Sequence, residues 1–339
     1  AGPEPRIRLR EAPPWSPAPA DELERLSGEL RLLGTQAGDE ETETETARLA
    51  VRCEERASAL RSLLSPDDET VTWLERSRGG WELKRVPVEA APLLRPTLFR
   101  PEVPATLTSA TLSAGGDFSG IRARLGAGEA GEIAVGSPFD FATQAVLVLD
   151  RAIPPPTDTS AWEDALPARI LRALHRSNGR ALVLFTSTAT MKRTHARVEP
   201  AWEGPILLQG AGLPRDRMIA AMKDAPGTVI FGVESFWHGV DVPGESLENV
   251  IITRLPFPNP GDPLSEARRE RVEARGGNAF RELDLPEAIL KFRQGFGRLI
   301  RTRTDRGIVV VLDSRILSKS YGKRFLASVP ACPVEIEDG

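Results

Sequence analysis

Residues 284–307 read DLPEAILKFRQGFGRLIRTRTDRG, and the fold of the surrounding chain can be argued outward from them. Asp284 stands near a capping position, Pro286 suits a first helical turn and Gly307 closes the run, which predicts a helix from Pro286 to Thr302. At helical spacing, Gln294, Arg298 and Arg301 share one stripe. Ile289, Phe292, Phe296 and Leu299 lie on the opposite side, where a sheet would bury them. Gly295 and Gly297 each cost about 0.5–1 kcal/mol relative to alanine inside a helix. A plain surface helix has no use for both; they suit one that another backbone or a phosphate approaches closely.

An amide and two guanidiniums on one stripe suit phosphoryl transfer, in which a planar cation beside the γ-phosphate neutralises charge in the transition state. The stripe by itself leaves a second reading open, an arginine-rich helix bonded to nearby carboxylates.

From residue 101 onward, short β-branched runs alternate with helical patterns. The runs are Ala105–Leu107, Ala145–Leu149, Ala181–Phe185, Ile206–Leu208, Thr228–Gly232, Asn249–Thr253 and Gly307–Leu312. Helices are expected over Trp162–Ser177, Arg215–Lys223 and Pro263–Ala274 as well as Pro286–Thr302. This alternation predicts an α/β fold, a parallel sheet with helices on both faces, whose working loops lie at the carboxyl ends of the strands. Before it, Leu23, Leu26, Leu30 and Leu33 mark one helix, and Leu49, Val51, Leu60 and Leu63 a second that ends near Pro66. The two are expected to pair as a hairpin within a small helical N-terminal region, followed by strands at Thr70–Leu74 and Trp81–Val86.

The chain of 339 residues is 40% hydrophobic and 27% charged, enough for a large core and a smaller unit. No apolar stretch is long enough to span a bilayer, and the reading is of a soluble, cytoplasmic protein. Cys53 and Cys332 stand alone, which gives no disulfide framework, no zinc site and no four-cysteine iron–sulfur site from this chain. The net charge is −4, but the acidic excess lies in the first hundred residues. Lys291, Arg293, Arg298, Arg301, Arg303, Arg306, Arg315, Lys319, Lys323 and Arg324 face only Asp305 and Asp313 in the same span. That is either a cationic surface for nucleic acid or a solvated basic face.

Several segments resemble the XPD/DinG branch of superfamily 2 helicases, in the family's order. QGFGRLIR (294–301) is similar to motif VI, GVESFWHGVDVPGE (232–245) to motif V, TSATL (108–112) to motif III and LVLFTST (182–188) to motif IV. LPFPNPGDPL (255–264) resembles the loop that follows motif V, and SPFDF (137–141) and SKSYGKRFLASVP (318–330) fit the DinG subgroup. The resemblance implies a RecA-like helicase domain 2 over residues 113–339. It further implies that 71–112 end helicase domain 1 and that 1–70 are the remnant of a helical insertion.

By the same resemblance, Arg298 and Arg301 are arginine fingers and Gln294 contacts the same phosphates. Gly239, Asp241 and Gly297 line the ATP side; Thr186, Ser187 and Ser235 face DNA phosphates; Thr108, Ser109 and Thr111 couple hydrolysis to DNA movement. ATP and Mg²⁺ would be held mainly by a first motor domain, since this chain contains no GxxxxGK[ST] loop and no DEAH-type box. The implied protein is a 5′-to-3′ DNA helicase of repair or replication, a monomer acting on single-stranded or forked DNA, and this chain alone would be inactive as an ATPase. The competing reading is a non-catalytic RecA-like nucleic-acid-binding or partner-docking module.

Other residues carry plainer readings. His238 stands where the subgroup has Glu and reads as a loop histidine; His175 and His195 have no partner at ligand spacing. Asp150 and Asp313 end strands and are expected to bond loop amides. Phe236 and Trp237 are read as packing before base stacking.

Overall fold

The computed structural model describes every residue except 1–5, 78, 101, 110, 114–115 and 238–243. The chain forms two compact units: Glu4–Pro92 with Asn259–Arg275, and Leu93–Pro258 with Gly276–Gly339.

In the smaller unit, β1 (Arg6–Leu9), β2 (Thr70–Ser77) and β3 (Gly80–Pro87) make an antiparallel sheet. Between β1 and β2 run α1 (Ala18–Gln36) and α2 (Glu40–Leu64). Asp39 caps α2 by accepting the Thr42 N–H at 2.7 Å. The hairpin pairs as expected, but through different residues. Its buried side chains are Ala20, Ser27 and Gly34 on α1 and Thr46, Ala50 and Ala57 on α2. Small groups let the helix backbones approach, and Arg31–Glu54 (2.9 Å) and Arg61–Glu24 (2.7 Å) bridge the rim. Leu26, Leu32 and Leu33 consequently remain exposed. β1, a strand absent from the sequence expectations, lies ahead of α1 and has β2 as its partner.

Val71 and Trp73 pack with Val88 and with Ala267 of the helix Pro263–Ala274, which Asp262 caps through the Ser265 N–H at 3.0 Å. Glu75 on β2 is buried and receives Lys84 at 2.7 Å and Arg6 at 2.8 Å. Its carboxyl is lowered to about 2, chiefly by the Lys84 hydrogen bond.

The larger unit contains β4 (Ala145–Asp150), α3 (Thr159–His175), β5 (Ala181–Leu184), α4 (Thr188–Val198), β6 (Ile206–Leu208), α5 (Arg215–Asp224), β7 (Val229–Gly232) and α6 (Glu234–Trp237). It continues through β8 (Asn249–Ile252), α7 (Leu285–Phe296), β9 (Gly307–Val311) and β10 (Val334–Glu337). Strand order is β10-β4-β9-β8-β5-β7-β6, and every pairing is parallel. Alternation along β5 shows why both faces are covered. Leu182 and Leu184 pack with Phe292, Phe296 and Trp237, while Ala181 and Val183 pack with Trp162, Leu166 and Ile170. Ala105–Leu107, expected as a strand, is exposed and irregular; a three-residue run without a pairing edge has nothing to hold it extended. β10, missed in the sequence, closes the sheet beside β4.

The depressed Glu75 carboxyl sets a sign. Its contribution is complete above the ordinary value of 4.5 and disappears as pH falls toward about 2. Glu75→Gln should weaken the protein by roughly 1–3 kcal/mol at neutral pH and flatten the loss of stability between pH 4.5 and 2, read by denaturant titration across that range.

Candidate functional site

α7 ends sooner than its sequence periodicity predicts. Asp284 is itself helical and gives no side-chain cap, and the last helical residue is Phe296. Gly297 caps the end through its N–H to the Arg293 carbonyl at 2.9 Å. Beyond it the chain tightens into turns, with the Arg298 N–H on Gly295 O at 3.2 Å and the Leu299 N–H on Phe296 O at 3.3 Å. Leu299 and Ile300 stay buried through these turns, which is why the apolar pattern runs on past the helix. Gln294 is therefore helical, whereas Arg298 and Arg301 sit on a shaped loop. Arg298 folds back, its Nε on the Gln294 carbonyl at 3.0 Å.

That loop is clasped by groups the sequence reading did not single out. The Asp305 carboxylate accepts the backbone N–H of Arg301 at 2.8 Å and of Thr302 at 2.9 Å, and also the Thr302 hydroxyl. Gln144, buried just before β4, donates to the carbonyls of Thr302 (3.0 Å) and Asp305 (2.9 Å). Burial pushes the Asp305 carboxyl up, but its bonds to Thr302, Arg301 and Gly244 prevail and hold it below the usual carboxylate range.

Gly295 has a packing role. A Cβ there would stand 3.0 Å from the Trp237 ring. Trp237 is fully buried, with its indole N–H on the Phe185 carbonyl at 3.0 Å, and Phe236 is buried beside it. A ring, not a phosphate, occupies the space that Gly295 leaves, and both aromatics are core.

Residues after Pro101 meet α7 directly. The Gln294 amide donates to the Thr111 hydroxyl at 3.4 Å, and Arg293 donates to the Ser113 carbonyl at 2.7 Å. Ser109 and Thr111 are linked by their hydroxyls at 3.2 Å. Thr108 is exposed.

The remaining expected positions divide between two ends of the sheet. Thr186 and Ser187 follow β5, and Ser235 follows β7, at the carboxyl ends as expected. Thr186 is exposed; Ser187 caps α4, its hydroxyl oxygen accepting the Thr190 N–H at 3.3 Å. The Ser235 hydroxyl is exposed and accepts from Gln209 at 3.0 Å. The arginine loop lies at the amino ends, because Asp305 stands two residues before the start of β9. α7 descends from one end to the other: its Lys291 pairs with Glu234, and the Gly307 that follows Leu299 in space opens β9. The expectation that all notable loops share the carboxyl ends thus fails for Arg298 and Arg301. Gly297 is exposed beside them. Gly239 and Asp241, with His238, lie outside the described residues.

Asp150 and Asp313 bond loop amides, as expected. Asp150 takes the Ile153 N–H at 2.8 Å and pairs with Arg169 at 3.2 Å. Asp313 takes the Leu255 N–H at 2.9 Å and Arg315 at 2.7 Å. Both carboxylates are engaged by neighbouring groups of the chain, and among the described residues no group of three His, Cys, Asp or Glu is placed to hold a metal.

Residues 170–332 match the family model of the helicase C-terminal domain. The ATP-dependent DNA helicase YoaA of Escherichia coli K12 is 36% identical over 261 residues, covering 77% of this chain and 41% of that protein. The ATP-dependent helicase DinG of Mycobacterium tuberculosis H37Rv is 38% identical over 272 residues, covering 78% and 41%. A solved XPD helicase structure superposes with a TM-score of 0.62 at 17% identity, over 98% of this chain and 58% of that one. Over these residues the chain is similar to the C-terminal portion of DinG-type superfamily 2 helicases. Its larger unit has the RecA-like fold of that family. The DinG-like chain spans about two fifths of the length of these curated relatives. No helix among its described residues is long and apolar enough to cross a membrane.

Asp305 yields a direct check. Asp305→Ala leaves two backbone N–H groups of the arginine loop without their acceptor, at a cost of roughly 1–3 kcal/mol. Amide exchange should rise selectively over 298–305; uniform protection there would show that the clasp does not hold the loop.

Proposed function

We propose that this chain is the second motor half of an ATP-dependent DNA helicase, with residues 113–339 as helicase domain 2 and 71–112 as the end of domain 1. ATP and its Mg²⁺ are held mainly by the first motor domain. Arg298 and Arg301 reach across the cleft to the γ-phosphate, where planar guanidiniums neutralise charge as the phosphoryl group transfers. Gln294 contacts the same phosphates, and Gly239, Asp241 and Gly297 line the nucleotide side. Thr186, Ser187 and Ser235 contact the DNA backbone, a kind of recognition that positions a strand without reading its sequence. The motor moves 5′ to 3′ on single-stranded or forked DNA and works as a monomer; the chain by itself does not hydrolyse ATP.

The observation that carries this reading is the pair of bonds from α7 to the segment after Pro101, Gln294 to Thr111 and Arg293 to Ser113. They give Thr108, Ser109 and Thr111 a physical route to the arginine loop: movement of that segment pulls on the helix from which the loop hangs. A binding module has no need of such a linkage, nor of an arginine loop held at the opposite end of the sheet from the hydroxyl row.

In the full-length protein, Arg301→Ala should keep single-stranded DNA binding and lose ATP turnover by ~10³-fold or more. Retained turnover removes the arginine-finger assignment. The isolated chain should show no stoichiometric, metal-dependent ATPase activity.

A further inference from the structure

Arg254 follows β8 at the carboxyl end of the sheet, and its backbone is pinned on both sides. Thr253 bonds the Leu184 carbonyl through its N–H (3.1 Å) and its hydroxyl (2.9 Å), and Leu255 donates to Asp313 at 2.9 Å. Since Leu184 pairs with Ile252 in register, Thr186 and Arg254 leave neighbouring strands at the same end. The guanidinium is half-buried, 5.8 Å from the ring centroid of Trp162, whose indole N–H is held by the Leu312 carbonyl at 3.0 Å.

The carboxylates near it are already spent. Glu163 accepts Thr190 at 2.8 Å and Arg193 at 2.6 Å. Asp313 is held by Arg315 and the Leu255 N–H. Beyond the π face of Trp162 and the longer-range attraction of Asp313 and Glu163, Arg254 has no hydrogen bond or ion pair among the described residues. Burial, and then the facing Arg315 cation, hold it below its ordinary value. A guanidinium offers five N–H donors in a fixed fork, and keeping them partly dry without an acceptor costs free energy. An anion arriving from outside would remove that cost. The exposed Thr186 hydroxyl and the Ser187 O–H lie at the same sheet end, so the surroundings offer donors suited to phosphate oxygens.

We infer that Arg254 is a binding residue for a backbone phosphate of single-stranded nucleic acid, seated at the carboxyl ends of β5 and β8. This rests on the helicase reading above and adds to it a cation that the hydroxyl row lacks. The arginine is kept partly desolvated, with Trp162 as a stacking platform beside the fork.

The test uses the full-length protein and a labelled oligo(dT), with binding followed by anisotropy without nucleotide at several salt concentrations. Arg254→Ala should weaken binding about tenfold and make the dependence of log affinity on log salt shallower by ~0.7. The KM for ATP at saturating DNA should be unchanged. Arg254→Lys should restore the salt slope but not the full affinity, because it keeps the charge and loses the fork. Arg254→Met should melt at the same temperature as the wild type or higher, since it removes a poorly compensated cation; a structural arginine would melt lower. Wild-type affinity and slope in Arg254→Ala overturn the assignment, as does a raised KM for ATP with DNA binding intact, which would place the anion on the nucleotide. If the wild type itself does not bind oligo(dT), the helicase reading falls together with this one.

Discussion

Trp237 fills the space left by a missing side chain. Its ring lies against Gly295 and its indole N–H is tied to the end of β5. This contact sets how closely α7 lies against the sheet. Any larger residue at 295 would lift the helix by displacing a buried ring, and with it would move Gln294, Arg293 and the loop beyond Gly297. The close packing of the interior makes such a shift costly. The apolar side chains below, Phe292, Phe296 and Leu299, are buried in the same layer.

From that anchor the unit has two working ends. α7 runs against the strand direction, so it delivers Arg298 and Arg301 to the amino ends of β8 and β9, while the hydroxyls of Thr186, Ser187 and Ser235 stand at the carboxyl ends. Strands of three to six residues make the separation on the order of 10–20 Å. On the proposed reading, one end meets the nucleotide and the other the strand being moved, with a stiff body between them through which a change at one is felt at the other. The bonds from Arg293 and Gln294 to Ser113 and Thr111 give that body a further connection to the preceding segment.

Much of this was legible in the sequence. The α/β alternation, the buried side of α7 and the commitments of Asp150 and Asp313 to loop amides follow from periodicity and from strand-end chemistry. Other features were hidden for identifiable reasons. The end of α7 was masked because Leu299 and Ile300 continue the apolar spacing while the backbone tightens into turns. The seam of the α1–α2 hairpin was misplaced because leucines stand out in a pattern, whereas the actual contact uses alanine, serine and glycine. Ala105–Leu107 resembles a strand until one asks what it would pair with. Asp305 could have been found: a carboxylate four residues beyond Arg301 is placed to accept loop amides, a capping pattern applied to a loop. Gln144 could not, since its partners lie more than 150 residues away.

The central claim is that the loop held by Asp305 and Gln144 presents its arginines to a phosphoryl group bound on another domain. The most direct measurement is a structure of the full-length protein trapped with ADP, aluminium fluoride and a single-stranded oligonucleotide. The account predicts a guanidinium nitrogen of Arg298 or Arg301 at about 3 Å from a fluoride, with the oligonucleotide backbone at the Thr186 and Ser187 end of the sheet. A closed, fluoride-occupied site with both arginines turned away from the fluoride would contradict it.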